Sequence, residues 1–388
     1  GVEGMESYHR VETATNGVVY ATWKMDISSL PLELKPYAPL WASLLGQCDA
    51  GSLSHQEVHE ALETCCGGLH GNASVSISPF DGNSFSETLN ISTYLLPSKC
   101  EQAFGLLNMI LRETHFNAVV RTPLQQMLAS SINGIAQSGH VYARAAAAAH
   151  QSPGAAASEQ WSGLSYIRHL SQSAQPEGFE ELLTKLSQIT RCLTESSLPM
   201  RCMFVSDSDG LATADRALPL FLRELPPGGG GIFTEQSQYG GLSEENHPPL
   251  QYIDQGFPVS YVGQAFQGVA YTSPDFAPLQ ILCRLLANNY FHKEIREKGG
   301  AYGSAAVASS GLITFSSYRD PHEMRTLQTF EDSQQWLSQQ SSSRSQRHLE
   351  EAKMGIFAAL DAPQAPALRG ARLFHDGIDA AIRDQHRA

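Results

Sequence analysis

The residues best suited to chemistry lie between positions 291 and 303, in the stretch FHKEIREKGGAYG. This stretch predicts Arg296 in the last turn of a helix, a sharp corner at Gly299-Gly300, and Tyr302 at the start of the next strand. Because Arg296 and Tyr302 stand on either side of one corner, their side chains can converge on a single point. A guanidinium fork and a phenol donor could together hold a substrate carbonyl or an anionic transition state.

The same spacing also fits a purely structural interpretation. An arginine near a helix C terminus is favoured by the helix dipole, and a tyrosine that opens a strand is often part of a hydrophobic core. Spacing alone therefore leaves both interpretations open.

A second candidate is the pair His55 and His59, which lie four residues apart and so share one face of a helix. A zinc hydrolase also needs a carboxylate that takes a proton from the bound water. Glu57 lies about 200° round the helix from His55, whereas in HExxH and HxxEH motifs the glutamate is adjacent to a histidine. A solvated helix face, with Ser54 as N-cap and Glu57 completing a capping box, explains this stretch better.

Other signatures of catalysis are absent from the sequence. It contains no HxxEH and no GxSxG, and the glycine run at 228–231 is not followed by the Lys-Ser or Lys-Thr of a phosphate loop. Seven cysteines without a CxxC pair predict mostly buried free thiols in a reducing compartment.

Hydrophobic patterning predicts an α+β protein made of two similar segments. Each segment runs strand, helix, Gly-Gly, strand, strand, Pro and further helices, with Gly67-Gly68 and Pro97 in the first and Gly299-Gly300 and Pro321 in the second. Such repetition indicates two related domains, each a sheet with helices on one face. A stretch rich in Gly and Pro at 228–250 predicts a linker between a first domain at 1–227 and a second at 251–388.

Several elements can be placed along the chain. Strands are predicted at 18–27, 257–261 and 266–271 from alternating apolar residues. Helices are predicted at 125–149, which is rich in alanine, and from Ser273 to about Lys298.

Composition limits the partners. The chain has 388 residues, and 26 Lys and Arg against 39 Asp and Glu give a net charge of −13. This balance argues against a nucleic-acid binder and suits a cationic peptide. No apolar run is long enough to predict a membrane span.

Several stretches resemble the C-terminal half of the presequence proteases, a mitochondrial family of pitrilysin-type zinc peptidases that carry the inverted motif HxxEH. In the second segment these are residues 295–303 (IREKGGAYG), 316–321 (SSYRDP), 326–330 (TLQTF), 257–263 (FPVSYVG), 271–275 (YTSPD) and 361–363 (DAP). In the first segment they are residues 15–20 (TNGVVY) and 34–40 (LKPYAPL). The resemblance covers nearly the whole chain.

The resemblance implies a fold and a site. Members of this family have four related α/β roll domains, each a mainly antiparallel sheet with helices packed on one face, in two bowls that close round an unfolded peptide. The chain would supply the non-catalytic third domain and a fourth domain whose C-terminal end is missing. Arg296 and Tyr302 would position the peptide and stabilise the transition state, and Gly299 and Gly300 would line the same substrate-binding corner.

The resemblance also implies partners and a cofactor. Zinc would be bound by an N-terminal half of the same protein, which is absent from this chain, and the substrate would be an unstructured peptide in the mitochondrial matrix. This sequence departs from the family pattern, because the helix starts at 39–43 and 276–280 contain neither His nor Glu. We therefore expect that the chain alone binds no metal and cleaves nothing, and we expect no nucleic-acid or membrane partner.

An alternative of a different class is a non-catalytic scaffold of the same fold, like the inactive subunits of the processing peptidase or the core proteins of a respiratory complex. The missing HxxEH fits this alternative. The presence of both Arg296 and Tyr302 favours the enzyme, since a scaffold needs neither.

Overall fold

Two separate β-sheets form the framework of the protein. The computed structural model describes residues 7–226, 256–339 and 342–387. The predicted linker at 228–250 lies outside the described residues, so the proposed domain boundaries stay a prediction. The strands are β1 Ser7–Glu12, β2 Val19–Asp26, β3 Asp49–Ala50, β4 Leu69–Ile77, β5 Phe85–Leu95, β6 Thr114–His115, β7 Met200–Ser206, β8 Ser260–Gln267, β9 Gly303–Ser309 and β10 Leu312–Asp320.

Helices surround both sheets. They are α1 Ala38–Ser43, α2 His55–Cys65, α3 Cys100–Glu113, α4 Arg121–Ala148, α5 Pro153–Ser162, α6 Leu164–Ser173, α7 Pro176–Glu195, α8 Ser208–Leu222, α9 Phe276–Leu285, α10 Glu323–Glu331, α11 Ser333–Ser338, α12 Ser342–Leu360, α13 Ala371–Asp376 and α14 Ala380–Gln385. The helix α9 continues as π-helical turns over Leu286–Glu297. Short 3-10 turns lie at Lys35–Tyr37, Pro97–Lys99, Ala118–Val120 and Pro366–Leu368. Within the described part of the chain, none of the helices has the length and apolar character needed to cross a membrane.

The second sheet repeats the order of three strands of the first. The first has the order β1-β7-β2-β5-β4, and the second has the order β8-β10-β9. In both, the third strand of the repeat lies between the first and the second, so that β2-β5-β4 matches β8-β10-β9, and these pairings are antiparallel. Only β1 and β7 pair in parallel among the described strands of the larger sheet. The predicted α+β fold with two related, mainly antiparallel sheets is confirmed.

Alternating apolar residues of β2 contribute to the first hydrophobic core, which lies between the larger sheet and the helices packed on it. Val19, Ala21 and Trp23 are fully buried. The indole of Trp23 stacks on Phe221 of α8 with 4.2 Å between ring centroids, and it meets Phe104 of α3 edge-on at 5.0 Å. Aromatic pairs of this kind add about 0.5–1.5 kcal/mol beyond the burial of their area.

A smaller core supports the second sheet. Phe291 in the π-helical turns, Phe315 on β10 and Phe330 on α10 form a triangle with centroids 5.0–5.5 Å apart. This cluster fixes the helix that leads to Gly299-Gly300 against the strands that follow it.

The prediction of two strands at 257–261 and 266–271 is wrong. One strand, β8, runs from Ser260 to Gln267 and pairs with β10 along its length. It ends where Gly268 comes so close to β10 that an added Cβ would lie 2.9 Å from the backbone of Leu312. The predicted helix from Ser273 to Lys298 is present, although its second half has π rather than α geometry.

The long helix α4 joins the two sheets. Its chain is kinked at Ser138, where φ is −128°, and the next residue, Gly139, lies directly against the ring of Tyr261 on β8. The Tyr261 hydroxyl donates a hydrogen bond to the carbonyl oxygen of Ala136, one turn away on the same helix. A helix of the first segment therefore holds the open face of the second sheet.

This contact predicts that substituting alanine for two different glycines of α4 has opposite effects on the stability of the protein. A Cβ at Gly139 would lie 2.3 Å from the Tyr261 ring, whereas a Cβ at Gly134 would meet nothing within 4 Å. We expect Gly139→Ala to lower the free energy of unfolding by about 1–3 kcal/mol, because it overpacks the interface. The matched control Gly134→Ala should raise it by roughly 0.5–1 kcal/mol, because alanine favours a helix. Urea unfolding of both variants measures this, and equal effects would contradict the proposed packing.

Candidate functional site

The corner predicted at Gly299-Gly300 ends the helix that carries Arg296. Gly300 has φ +79°, in the left-handed region that favours glycine. Its N–H donates to the carbonyl oxygen of Arg296 at 3.0 Å, and the N–H of Ala301 donates to that of Ile295 at 3.1 Å. These bonds satisfy two carbonyls at the helix end and turn the chain into β9.

The two glycines serve different steric needs. Position 300 requires glycine because of its positive φ. An added Cβ there would meet only Pro321, at an ordinary van der Waals distance of 3.6 Å. Gly299 needs space, because an added Cβ would lie 2.4 Å from the carbonyl oxygen of Ile295. The sequence therefore makes the corner tight by excluding side chains at two successive positions.

Arg296 and Tyr302 come together on the protein surface. Tyr302 is 65% exposed, and Arg296 is also exposed. The guanidinium carbon of Arg296 lies 5.6 Å from the centre of the Tyr302 ring, which is the geometry of a cation–π contact. The Tyr302 N–H donates to the carbonyl oxygen of Tyr318 at 3.0 Å, which fixes the start of this strand. Neither side chain is part of the core, so the structural interpretation of a buried tyrosine does not hold.

Sequence reasoning missed Tyr318, whose ring packs against the ring of Tyr302. The two rings meet edge-on with 5.6 Å between centroids. On its other side Tyr318 contacts His140 of α4 edge-on at 4.9 Å and Tyr261 at 5.8 Å. Burial lowers the pKa of His140, and the charge of Arg144 lowers it further. A row of aromatic rings therefore runs from α4 to the exposed phenol.

Arg319 is the second residue that sequence reasoning missed. Its φ is +50°, an angle uncommon for a residue other than glycine, asparagine or aspartate. Its guanidinium carbon lies 5.3 Å from the centre of the Tyr318 ring. Arg319 lies in the stretch SSYRDP, which is evident in the sequence. No rule of residue type or spacing predicts that an arginine has a positive φ.

Buried Asp320 holds the bend at Arg319 in place. The Asp320 carboxylate accepts hydrogen bonds from the N–H of His322 at 2.9 Å and from the hydroxyl of Thr326 at 2.5 Å. The pairing of β10 with β8 shifts register between Ser317 and Asp320, so the strand is bulged at this point. The surroundings thus fix a backbone conformation that Arg319 would otherwise avoid.

The histidines of α2 have other partners. Ser54 and Glu57 form the predicted capping box. The His59 ring lies 3.3 Å from Glu63, and the His55 ring lies 3.5 Å from Asp49, all on exposed or half-exposed side chains. Among the described residues no group of three His, Cys, Asp or Glu side chains could hold a metal ion. The residues of this chain that the structure describes therefore do not fit a zinc site.

All seven cysteines are free thiols, as predicted. Burial raises the pKa of Cys48 to about 12 and the pKa values of Cys100 and Cys283 to about 11. Cys66 differs, because a hydrogen bond from the neighbouring Cys65 thiol lowers its pKa.

Two family models match the chain. The first describes a region associated with subfamily C of the M16 peptidases and matches residues 3–172, and the second, the "PreP C-terminal domain", matches residues 255–385. Together they cover both segments, and the second match includes the whole corner with Arg296, Tyr302 and Arg319. The chain therefore matches the C-terminal half of the presequence proteases.

Individual presequence proteases are similar over nearly the whole chain. The mitochondrial presequence protease of Xenopus laevis is 30% identical over 403 residues, which cover 96% of this chain and 39% of that protein. The corresponding protein of Saccharomyces cerevisiae is 31% identical over 392 residues, covering 97% and 39%. The chain thus spans about two fifths of the length of these relatives.

Solved structures show the same fold at low sequence identity. A conserved protein from Enterococcus faecalis has a TM-score of 0.67 at 14% identity, with 99% of this chain and 91% of that chain covered. A structure from Pseudomonas fluorescens, titled as a peptidase M16 inactive domain, has a TM-score of 0.61 at 14% identity, with 98% and 89% covered.

The steric limits at Gly299 and Gly300 predict a ranking of glycine substitutions by their cost in stability. Gly300→Ala should cost about 1–2 kcal/mol of folding free energy, because alanine is disfavoured in the left-handed region. Gly299→Ala should cost more, because its Cβ meets a backbone oxygen. Gly105→Ala on α3, where a Cβ meets nothing within 4 Å, is the control. Thermal unfolding of the three variants checks the order, and a harmless Gly299→Ala would contradict it.

Proposed function

We propose that the chain is the substrate-binding C-terminal half of a zinc metalloendopeptidase that degrades presequences and other short unstructured peptides. The observation that carries this proposal is the exposed pair Arg296 and Tyr302, held together at a corner that the family match includes. Both side chains face solvent, and the Tyr302 ring packs against Tyr318. The guanidinium and the phenol are therefore available to an incoming peptide.

The pair suits a peptide carbonyl during amide hydrolysis. When the carbonyl carbon becomes tetrahedral its oxygen gains negative charge, and fixed donors stabilise that charge more than they stabilise the neutral carbonyl. Arg296 supplies a permanent charge, and Tyr302 supplies one O–H donor. The cation–π contact between the guanidinium and the ring limits the freedom of both side chains, so less entropy is lost when the peptide binds.

The catalytic metal and its ligands would belong to an N-terminal half of the same protein. Zinc there would supply the activated water for hydrolysis. The partners of this chain would therefore be that half and the unstructured peptide. The names of the relatives support a mitochondrial location, and the net charge of −13 is compatible with cationic peptides and unfavourable for nucleic acid.

The chain by itself is expected to be inactive. A fluorogenic presequence peptide incubated with the 388-residue chain and added zinc should remain uncleaved, because the sequence lacks HxxEH. The same assay with the N-terminal half added should show cleavage that a chelator abolishes. Chelator-sensitive cleavage by the 388-residue chain alone would contradict this expectation.

Removal of the Tyr302 hydroxyl tests the site itself. In the full-length enzyme, Tyr302→Phe keeps the ring but removes one donor, and we expect kcat to fall by about 100-fold or more with little change in KM. Tyr94→Phe changes another exposed tyrosine, on β5 of the first sheet, and serves as the control. If kcat is the same for Tyr302→Phe and for the control, Tyr302 has no part in the reaction.

A second candidate function is a non-catalytic scaffold of the same fold. The missing HxxEH favours it, and a structure of similar fold is titled as an inactive domain. An upstream HxxEH in the same polypeptide would decide for the enzyme.

A further inference from the structure

Arg319 and Arg296 lie at the two ends of one aromatic pair. The Arg296 guanidinium lies over the Tyr302 ring, and the Arg319 guanidinium lies over the Tyr318 ring. The two rings meet edge-on at 5.6 Å between centroids. Two cationic side chains therefore flank a single patch of aromatic surface.

Nearby cations have partners that these two arginines lack. Lys298 pairs with Glu294 at 2.7 Å, and the Arg325 guanidinium donates to the carbonyl oxygen of Lys298 at 3.1 Å. Within the described part of the chain, neither Arg296 nor Arg319 forms an ion pair with a carboxylate. In a chain with 39 acidic and 26 basic residues, two guanidinium groups without a carboxylate partner, on one pair of aromatic rings, leave an anion-binding surface open.

The backbone at Arg319 is strained, and it lies at the bulge of β10 that the contacts of Asp320 hold in place. Glycine or asparagine would adopt φ +50° more easily. Contacts around Asp320 over-determine the bend, and strain of this kind is concentrated at sites that hold a ligand. Tyr318 is already contacted by Tyr261, Tyr302 and His140, so the arginine is not needed to cover its ring.

We propose that Arg319 is a third substrate-contacting residue, which binds a carboxylate group of the peptide beside Arg296 and Tyr302. A guanidinium offers two parallel N–H donors that match the two oxygens of a carboxylate. The carboxylate is either the free C terminus of the peptide or an acidic side chain. This inference rests on the proposed function, since it concerns the same peptide.

Direct binding of peptides tests the inference without cleavage. Fluorescein-labelled unstructured dodecapeptides are titrated into the 388-residue chain in two matched pairs. One pair differs only in a free or amidated C terminus, and the other, amidated in both members, differs only in one Glu or Gln. In at least one pair the acid should bind about tenfold more tightly than its amide, because a charge-assisted bidentate contact is lost in the amide.

Substitutions of Arg319 test whether this residue causes the tighter binding of the acid. Arg319→Asn removes the guanidinium but tolerates the left-handed angle, so it should abolish the preference for the acid while the Tm stays equal or rises. Arg319→Lys should retain only part of the preference, because lysine has no fork. Arg191→Gln removes an exposed arginine of α7, which is 75% exposed, and should leave the preference unchanged.

The outcomes separate this inference from the proposed function. A preference for the free C terminus or for the acidic side chain identifies the source of the carboxylate, and either supports the inference when Arg319→Asn removes it. Equal binding of acid and amide, no binding of any peptide, or a preference that survives in Arg319→Asn overturns it. Cleavage by the full-length enzyme is measured separately, so the inference can fail while the proposed function stands.

Discussion

A side chain at position 299 would collide with the carbonyl oxygen of Ile295, and this steric limit determines the geometry of the candidate site. Because residues 299 and 300 carry no Cβ, the chain reverses within two residues of the helix end. Arg296 and Tyr302 are then separated by one corner rather than by a loop, and their side chains form a cation–π contact. A longer connection would leave both groups free to move, and a mobile donor pair stabilises a transition state poorly.

The first segment of the chain also has a Gly-Gly pair between a helix and a strand, at Gly67-Gly68. A Cβ on Gly67 would lie 1.9 Å from the ring of Tyr94, so an aromatic ring covers that corner. The residues at the positions equivalent to the Arg and Tyr are Thr64 and His70. The two repeats therefore share the order of three strands and a Gly-Gly pair, but the backbone differs, with φ +152° at Gly68 and +79° at Gly300. Of the two corners, the second places Arg296 beside the exposed ring of Tyr302.

Much of this arrangement could be predicted from the sequence, for physical reasons. Apolar alternation along residues 19–26 and the capping box at Ser54 and Glu57 are local signals, and both elements form as expected. The Gly-Gly corner between Arg296 and Tyr302 is also local. Tyr318 and Arg319 could not be found in this way, because their roles depend on pairing between β9 and β10 and on the position of a helix about 180 residues earlier in the chain. The single strand β8 was missed because its end is set by close approach to β10 rather than by its own residues.

The contact of α4 with the second sheet also limits which insertions and deletions the sequence can tolerate during evolution. The helix meets Tyr261 through Gly139 and Tyr318 through His140, so both residues must keep their orientation toward the second sheet. Inserting or deleting one helical residue upstream of Gly139 would rotate both of them by about 100° about the helix axis. Related sequences should therefore vary in length at the ends of this helix but not within it, so that a segment with no chemistry of its own preserves the placement of a distant tyrosine.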